Sequence, residues 1–320
     1  MGYGSVKKML AAECVRAGGG ARVVEATLEL ENADDGGGPP LSAEMIVDLV
    51  RRTLPRGPGC KLAVIDAVTS NTALLLPVQQ IAAVCRERGV PVLLDAAHLL
   101  GSVHPAEVRA LGCDYVVGNL HKWFCNPRGA GFLWAARHAQ AGLRPLVTSH
   151  GAADGFLSSF VWDGNRDYSP VLAVPATLRF WRWLGGPSAV VGYQRTLLAE
   201  AAQLLVKRWG TGTLAPLETL CAGMALVRLP AGQLPDAADA PEGATSAHAK
   251  AVQDCLHALR IEVPVKNVRG RLYVRISAHV YNRISDYEAL AEAVAGAAAR
   301  RLLPTLPRAG AVCVRGGACG

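Results

Sequence analysis

The residues of this chain best suited to chemistry fall in two short runs, Val92-Leu-Leu-Asp95-Ala-Ala-His98 and Asn119-Leu-His121-Lys122-Trp123. Each is ordinary by itself. A carboxylate at the end of a parallel strand is common, because ligands bind beyond strand carboxyl ends. A lysine shortly after a strand is usually a solvated charge. An acid after one buried strand and a lysine after the next, within one sheet, would stand at one edge of the same crevice. Pyridoxal phosphate needs that pair: an amine to form a Schiff base with its aldehyde, and a carboxylate to keep its pyridine nitrogen protonated. The ring then takes up the charge left when a Cα proton departs.

The elements that must position these groups are read from hydrophobic periodicity. Residues 5–17 carry a helical pattern (Val6, Met9, Leu10, Cys14) stopped by Gly18-Gly19-Gly20. Arg22–Leu30 alternates like a strand, and the Gly- and Pro-rich stretch Asn32–Pro40 reads as a loop. Ser42 ahead of Met45, Ile46, Leu49 and Val50 predicts a capped amphipathic helix. Lys61–Asp66 and Pro91–Asp95 are short apolar runs of the buried parallel type. Between them Pro77 opens a helix with a buried stripe of Val78, Ile81, Val84 and Cys85, ended by Gly89. A helical turn through Ala106–Leu111 and strands at Asp114–Gly118 and Ala130–Trp134 continue the alternation of an α/β sheet with crossover helices. Helices follow at Pro175–Leu184 and Ser188–Trp209, the second long enough to bridge domains. Beyond Gly210, strands at Met224–Leu229 and Leu272–Ile276 and helices at His248–Leu259 and Asp286–Leu302 predict a small α+β domain. The expected division is 1–187 as a large cofactor-binding domain, 188–303 as bridging helix and small domain, and 304–320 as a disordered tail.

Composition narrows the function classes. At 320 residues with 51% hydrophobic and 18% charged side chains, the chain can bury a large core and is not a disordered segment. The net charge of +7 is scattered, with no basic run interleaved with aromatics, so nucleic-acid binding is not expected. The most apolar windows, such as Val90–Leu100 and Ile81–Val84, are too short or too interrupted by charge to span a bilayer. Nine cysteines without a C-x-x-C suggest neither a disulfide framework nor a zinc site, but free thiols in a reducing compartment. The eight histidines show no H-x-x-x-H or H-E-x-x-H spacing, so no metal is expected. Met1-Gly2-Tyr3-Gly4 opens no signal peptide, since no apolar stretch follows it, and a cytoplasmic location is expected.

A resemblance goes further. The run DAAHLLGSVHPAEVRALGCDYVVGNLHKWF (Asp95–Phe124) resembles the class V aminotransferase family, fold type I of the pyridoxal-phosphate enzymes. So do Ser5-Val-Lys-Lys8, Trp162-Asp-Gly-Asn-Arg-Asp-Tyr168 followed by Val174-Pro175, Glu262-Val-Pro-Val265, and Val274-Arg-Ile-Ser277 with Tyr281-Asn282. The order matches over roughly residues 3 to 302, and the chain is most similar to the isopenicillin N epimerase-like branch, in particular plant-type L-cysteine desulfhydrases. The resemblance implies a mostly parallel large-domain sheet, a smaller α+β C-terminal domain and pyridoxal 5'-phosphate as cofactor. It makes Lys122 the Schiff-base lysine, sets Asp95 against the pyridine nitrogen and His98 near the phenolic oxygen, and puts Asn119 and His121 at the phosphate. Arg275 would receive the substrate carboxylate through a bidentate fork.

Two departures stand out. Asn165, in Gly164-Asn-Arg-Asp167, replaces the Thr that usually reaches the phosphate of the neighbouring subunit. The family's N-terminal region ahead of the segment matching Tyr3–Lys8, with its phosphate cradle at a helix N-terminus, is absent, which implies weaker cofactor retention. The implied activity is α,β-elimination of L-cysteine to sulfide, pyruvate and ammonia by a homodimer. The alternatives are an amino-acid epimerase or racemase, which needs a second base, and a non-catalytic truncated homologue. A persulfide mechanism is not expected: Cys221 and Cys255 fall in packed elements, Cys313 and Cys319 in the tail, and Cys125 reads as a small buried hydrophobe.

Overall fold

The computed structural model describes residues 2–28, 40–56, 59–109, 111–162, 164–230 and 243–299. Helix α1 (Gly4–Arg16) ends before Gly18 and Gly19, both at positive φ. Residues 22–28, expected to open a strand, form none, and Arg22–Glu25 are exposed. Alternation makes a strand only where a neighbour offers a ladder, and among the described residues no strand pairs with this segment. The rest of that expected strand, the loop over residues 32–39 and the expected tail over 304–320 lie outside the described residues.

Ser42 caps α2 (Ala43–Thr53), its hydroxyl oxygen accepting from the Met45 amide at 3.3 Å. Then come β1 (Ala63–Asp66), α3 (Val78–Glu87), β2 (Val92–Asp95), α4 (Pro105–Arg109), β3 (Tyr115–Asn119) and β4 (Gly131–Ala135). These strands form one sheet in sequence order; β1, β2 and β3 are parallel and β4 is antiparallel to β3. Helix α3 buries Val78, Ile81, Ala82, Val84 and Cys85, the stripe expected of a crossover helix. Burying Ile81 and Val84 contributes about 1.5–3 kcal/mol each.

Two single turns, α5 (Ser158–Val161) and α6 (Ser169–Leu172), lead into α7 (Val174–Trp183) and the 24-residue α8 (Gly186–Trp209), capped by left-handed Gly210. Past α9 (Leu217–Leu220), strands β5 (Met224–Arg228), β6 (Val265–Val268) and β7 (Arg271–Ser277) make an antiparallel sheet in the order β5-β7-β6; α8 packs on β5 and β7, α10 (Ser246–Ala258) on β6, and α11 (Ile284–Ala299) on α8. The edge strand β6 was not expected, because Lys266 and Asn267 break its apolar pattern. Leu197, Leu198, Ala201 and Leu205 of α8 pack with Leu256 and Leu290 in the core beneath this sheet. Met224, Leu226 and Tyr273 instead join the core of the first sheet, so the second sheet abuts the parallel one. Among the described residues no helix is long and apolar enough to cross a membrane.

Candidate active site

Parallel strands open their carboxyl ends on one edge, and the side chains in question collect there. Asp66 ends β1, Asp95 ends β2 and Asn119 ends β3. Asp66 and Asp95 are register partners, so two carboxylates stand side by side. The Asp95 carboxylate accepts from the Ala97 amide at 2.9 Å.

Lys122 sits in the loop from β3 to β4, and neighbouring elements pin that loop. Asn126 is buried; its amide donates to the Pro170 carbonyl at 2.8 Å and accepts from the Thr177 hydroxyl at 2.8 Å. The Trp181 indole donates to the Phe124 carbonyl at 2.9 Å. On the other side Gly101, at φ +88°, lies so close that an added Cβ would stand 2.8 Å from the Trp123 carbonyl carbon. This holds the loop after β2, which carries His98, against the loop that carries Lys122.

Lys122 Nζ is 3.2 Å from His98 Nε2, and the Trp123 indole donates to His98 Nδ1 at 3.3 Å. Trp123 stacks on His279 with centroids 5.4 Å apart, and His279 stacks in turn on Tyr281. Arg275 reaches across from β7, its guanidinium donating to the Ser70 carbonyl, with the Ser70 hydroxyl at 3.4 Å. Cys125, expected to be a buried hydrophobe, is half-buried at φ +64°, with Sγ 3.8 Å from His279 Nε2.

The electrostatics follow from burial. Desolvation lowers the pKa of Lys122, and Arg275 adds to this, while Asp95 and Asp66 oppose it. Burial first, then Lys122 and Arg275, push His98 down to about 3, so its imidazole is neutral. Burial and then the Asp95 charge raise Asp66 to about 6, against the Tyr3 backbone N–H and Lys122. Desolvation also lowers Arg275 from its ordinary value. The cluster thus offers an amine biased toward its nucleophilic form, a neutral imidazole, two adjacent carboxyl groups and a guanidinium suited to a carboxylate.

Of the residues singled out from sequence, Asp95, His98, Lys122 and Arg275 come together. Asn119 stands at the same sheet edge, its buried Oδ1 without a partner among the described residues. His121 is exposed beside Lys122, and Asn165 is exposed between α5 and α6; among the described residues no hydrogen bond ties either to the cluster. Sequence reasoning missed Asp66, Ser70, Trp123 and His279. Asp66 did carry a signal, since it ends its apolar strand as Asp95 does. Trp123 and His279 carried none, because one reads as core and the other as a lone histidine.

A family profile, aminotransferase class-V, matches residues 43–158. The chain is 34% identical over 314 residues to a probable chloroplastic L-cysteine desulfhydrase of Arabidopsis thaliana, covering 92% of this chain and 62% of that protein. It is 31% identical over 255 residues to isopenicillin N epimerase of Streptomyces clavuligerus, covering 74% of this chain and 60% of that protein. The chain therefore spans less than two thirds of the length of both relatives. The apo structure of a cysteine desulfurase from Thermococcus onnurineus NA1 superposes with a TM-score of 0.60 at 18% identity, over 85% of this chain and 65% of that one. The two share a fold, that of the fold type I pyridoxal-phosphate enzymes. The profile falls on the segment that holds Asp95 and Lys122, and similarity runs through nearly the whole sequence, so residues 43–158 carry the aminotransferase class-V pattern.

Proposed function

We propose that the chain is a pyridoxal 5'-phosphate-dependent carbon–sulfur lyase that converts L-cysteine and water to sulfide, pyruvate and ammonia. The observation that carries this reading is the half-buried Lys122 amine, 3.2 Å from a neutral His98 and facing Asp95 and Arg275. The residues fit the cofactor. The Lys122 amine suits an aldehyde, Asp95 suits a pyridinium, and the buried Asn119 Oδ1 and Arg275 Nε have no partner among the described residues. Bound there, the cofactor supplies an aldehyde for Lys122 and a sink for the charge left at Cα. Lys122 would hold that aldehyde and would move the Cα proton. Asp95 would face the ring nitrogen and keep it protonated, and Arg275 would hold the substrate carboxylate.

Borohydride reduction of the loaded chain followed by peptide mapping should label Lys122. The same preparation should release sulfide and pyruvate in equal amounts from L-cysteine, and Lys122→Ala should abolish both. Label on another lysine overturns the assignment. Cysteine that only exchanges its Cα hydrogen, without release of sulfide, favours an epimerase instead.

The chain is also read as a homodimer, on the strength of its exposed apolar surface. Trp134, Leu146, Leu157, Trp162, Leu172 and Trp183 are all more than half exposed, and Asn165 lies among them in sequence. A second copy seated there would cover an apolar face of the kind obligate dimers bury. A monomer in sedimentation at micromolar concentration overturns this. The reading of a cytoplasmic protein rests on its nine cysteines, an odd number with no C-x-x-C spacing, which do not suggest the disulfide framework of an oxidising compartment.

A further inference from the structure

We propose that Trp123 is a positioning residue that acts through His98 to hold the Lys122 amine as the free base. An indole N–H donates and cannot accept. Trp123 Nε1 lies 3.3 Å from His98 Nδ1, so Nδ1 presents a lone pair and the neutral ring carries its one proton on Nε2. That N–H faces Lys122 Nζ at 3.2 Å. An ammonium has three donors and no lone pair, so there it would set donor against donor. A free amine accepts the bond. The reverse arrangement, an ammonium donating to a bare Nε2, needs the proton on Nδ1, where the indole N–H already points.

The indole is held in place to do this. Trp123 is 5% exposed and stacks on His279, and an added Cβ on Gly223 would come within 2.8 Å of its ring. Lys122 and Trp123 are neighbours in sequence, and their side chains reach the two nitrogens of one imidazole. Lys122 is faced by Asp95 from β2 and Asp66 from β1, which favour the ammonium, and by Arg275 from β7, which disfavours it. His279 from beyond β7 approaches the Lys122 carbonyl oxygen, at 3.5 Å. The hydrogen bond fixed by Trp123 adds to burial and to Arg275 against the two carboxylates.

The inference rests on the reading of Lys122 as the reacting amine. Its test needs neither cofactor nor substrate, so a chain that proves inactive on cysteine can still uphold it. In the chain with ¹⁵N-labelled histidine, assigned by difference from His98→Gln, His98 should be protonated on Nε2 and bare on Nδ1 at neutral pH. The pH at which Lys122 is half-reactive toward trace acetic anhydride gives its ionisation. Trp123→Phe keeps a ring on His279 but lacks the donor. It should redistribute the His98 proton between the two nitrogens and raise the Lys122 midpoint by about one pH unit, the worth of one hydrogen bond. Trp181→Phe removes another indole bond to the same loop and should leave both readings in place.

A wild-type His98 protonated on Nδ1 overturns the proposal. So does a folded Trp123→Phe chain with both readings unchanged, or a Trp181→Phe chain that shifts both as far. Should Trp123→Phe fail to fold, the wild-type chain decides. An Nε2 proton together with slow exchange of the Trp123 indole N–H upholds the proposal, and a fast-exchanging indole N–H overturns it.

Discussion

Asp66→Asn probes the carboxylate pair at the sheet edge. Asp66 is 7% exposed and in register with Asp95, and its pKa is raised from 3.8 to about 6, by burial first and by Asp95 second. A shift of that size corresponds to about 3 kcal/mol, which solvent at the open end of the sheet reduces to about 1–2 kcal/mol. The sign follows from linkage. Below the unfolded value of 3.8, Asp66 is protonated whether the chain is folded or not, and it costs the fold nothing. As pH rises from 3.8 to about 6, the unfolded chain gives up the proton while the folded chain keeps it, so stability falls. It levels off once the folded chain too carries the charge beside Asp95. Asn imitates the protonated acid and still offers an oxygen to the Tyr3 N–H. The variant should therefore match the wild type near about pH 4 and exceed it by about 1–2 kcal/mol above about pH 7. Urea unfolding across that range gives the difference curve. A pH-independent difference, or a variant less stable at high pH, refutes the reasoning. The second result would mean that attraction to Lys122 outweighs both burial and Asp95.

Two further substitutions test the packing behind the site. Gly101→Ala adds a Cβ at φ +88°, 2.8 Å from the Trp123 carbonyl carbon, and should cost about 2–4 kcal/mol in urea unfolding while weakening borohydride labelling of Lys122. An unchanged unfolding midpoint would mean that the two loops are not in contact. Gln194 of α8 is fully buried, and neither polar atom of its amide has a partner among the described residues. Gln194→Leu should stabilise the chain by about 1–2 kcal/mol in the same assay, and a loss of stability would show that the amide is satisfied in solution.

Most of the fold was legible because its signals are local. The Ser42 cap, the α3 stripe Val78, Ile81, Val84 and Cys85, and the left-handed Gly210 after α8 each state their structure within a few residues. The signal fails where a partner element decides. Residues 22–28 alternate but find no ladder, while Val265–Val268 does not alternate cleanly and is a strand, because β7 offers it one. Asp95 and Lys122 were legible for a related reason: parallel strands carry their following residues to one edge, so sequence order alone brings the two together.

What sequence order does not show is which way the hydrogen bonds point within that edge. Two carboxylates beside Lys122 argue for an ammonium; burial and Arg275 argue against it. A count of charges leaves that contest to distances and solvent. Trp123 adds a constraint of another kind. Its N–H faces His98 Nδ1 and leaves the imidazole one place for its proton, the nitrogen that faces Lys122. In the sequence Trp123 is an apolar residue after a lysine, and its burial and its stacking on His279 are what a core tryptophan shows. Only the one polar atom on its rim, and the residue that atom meets, separate a packing role from a role in setting the state of the amine.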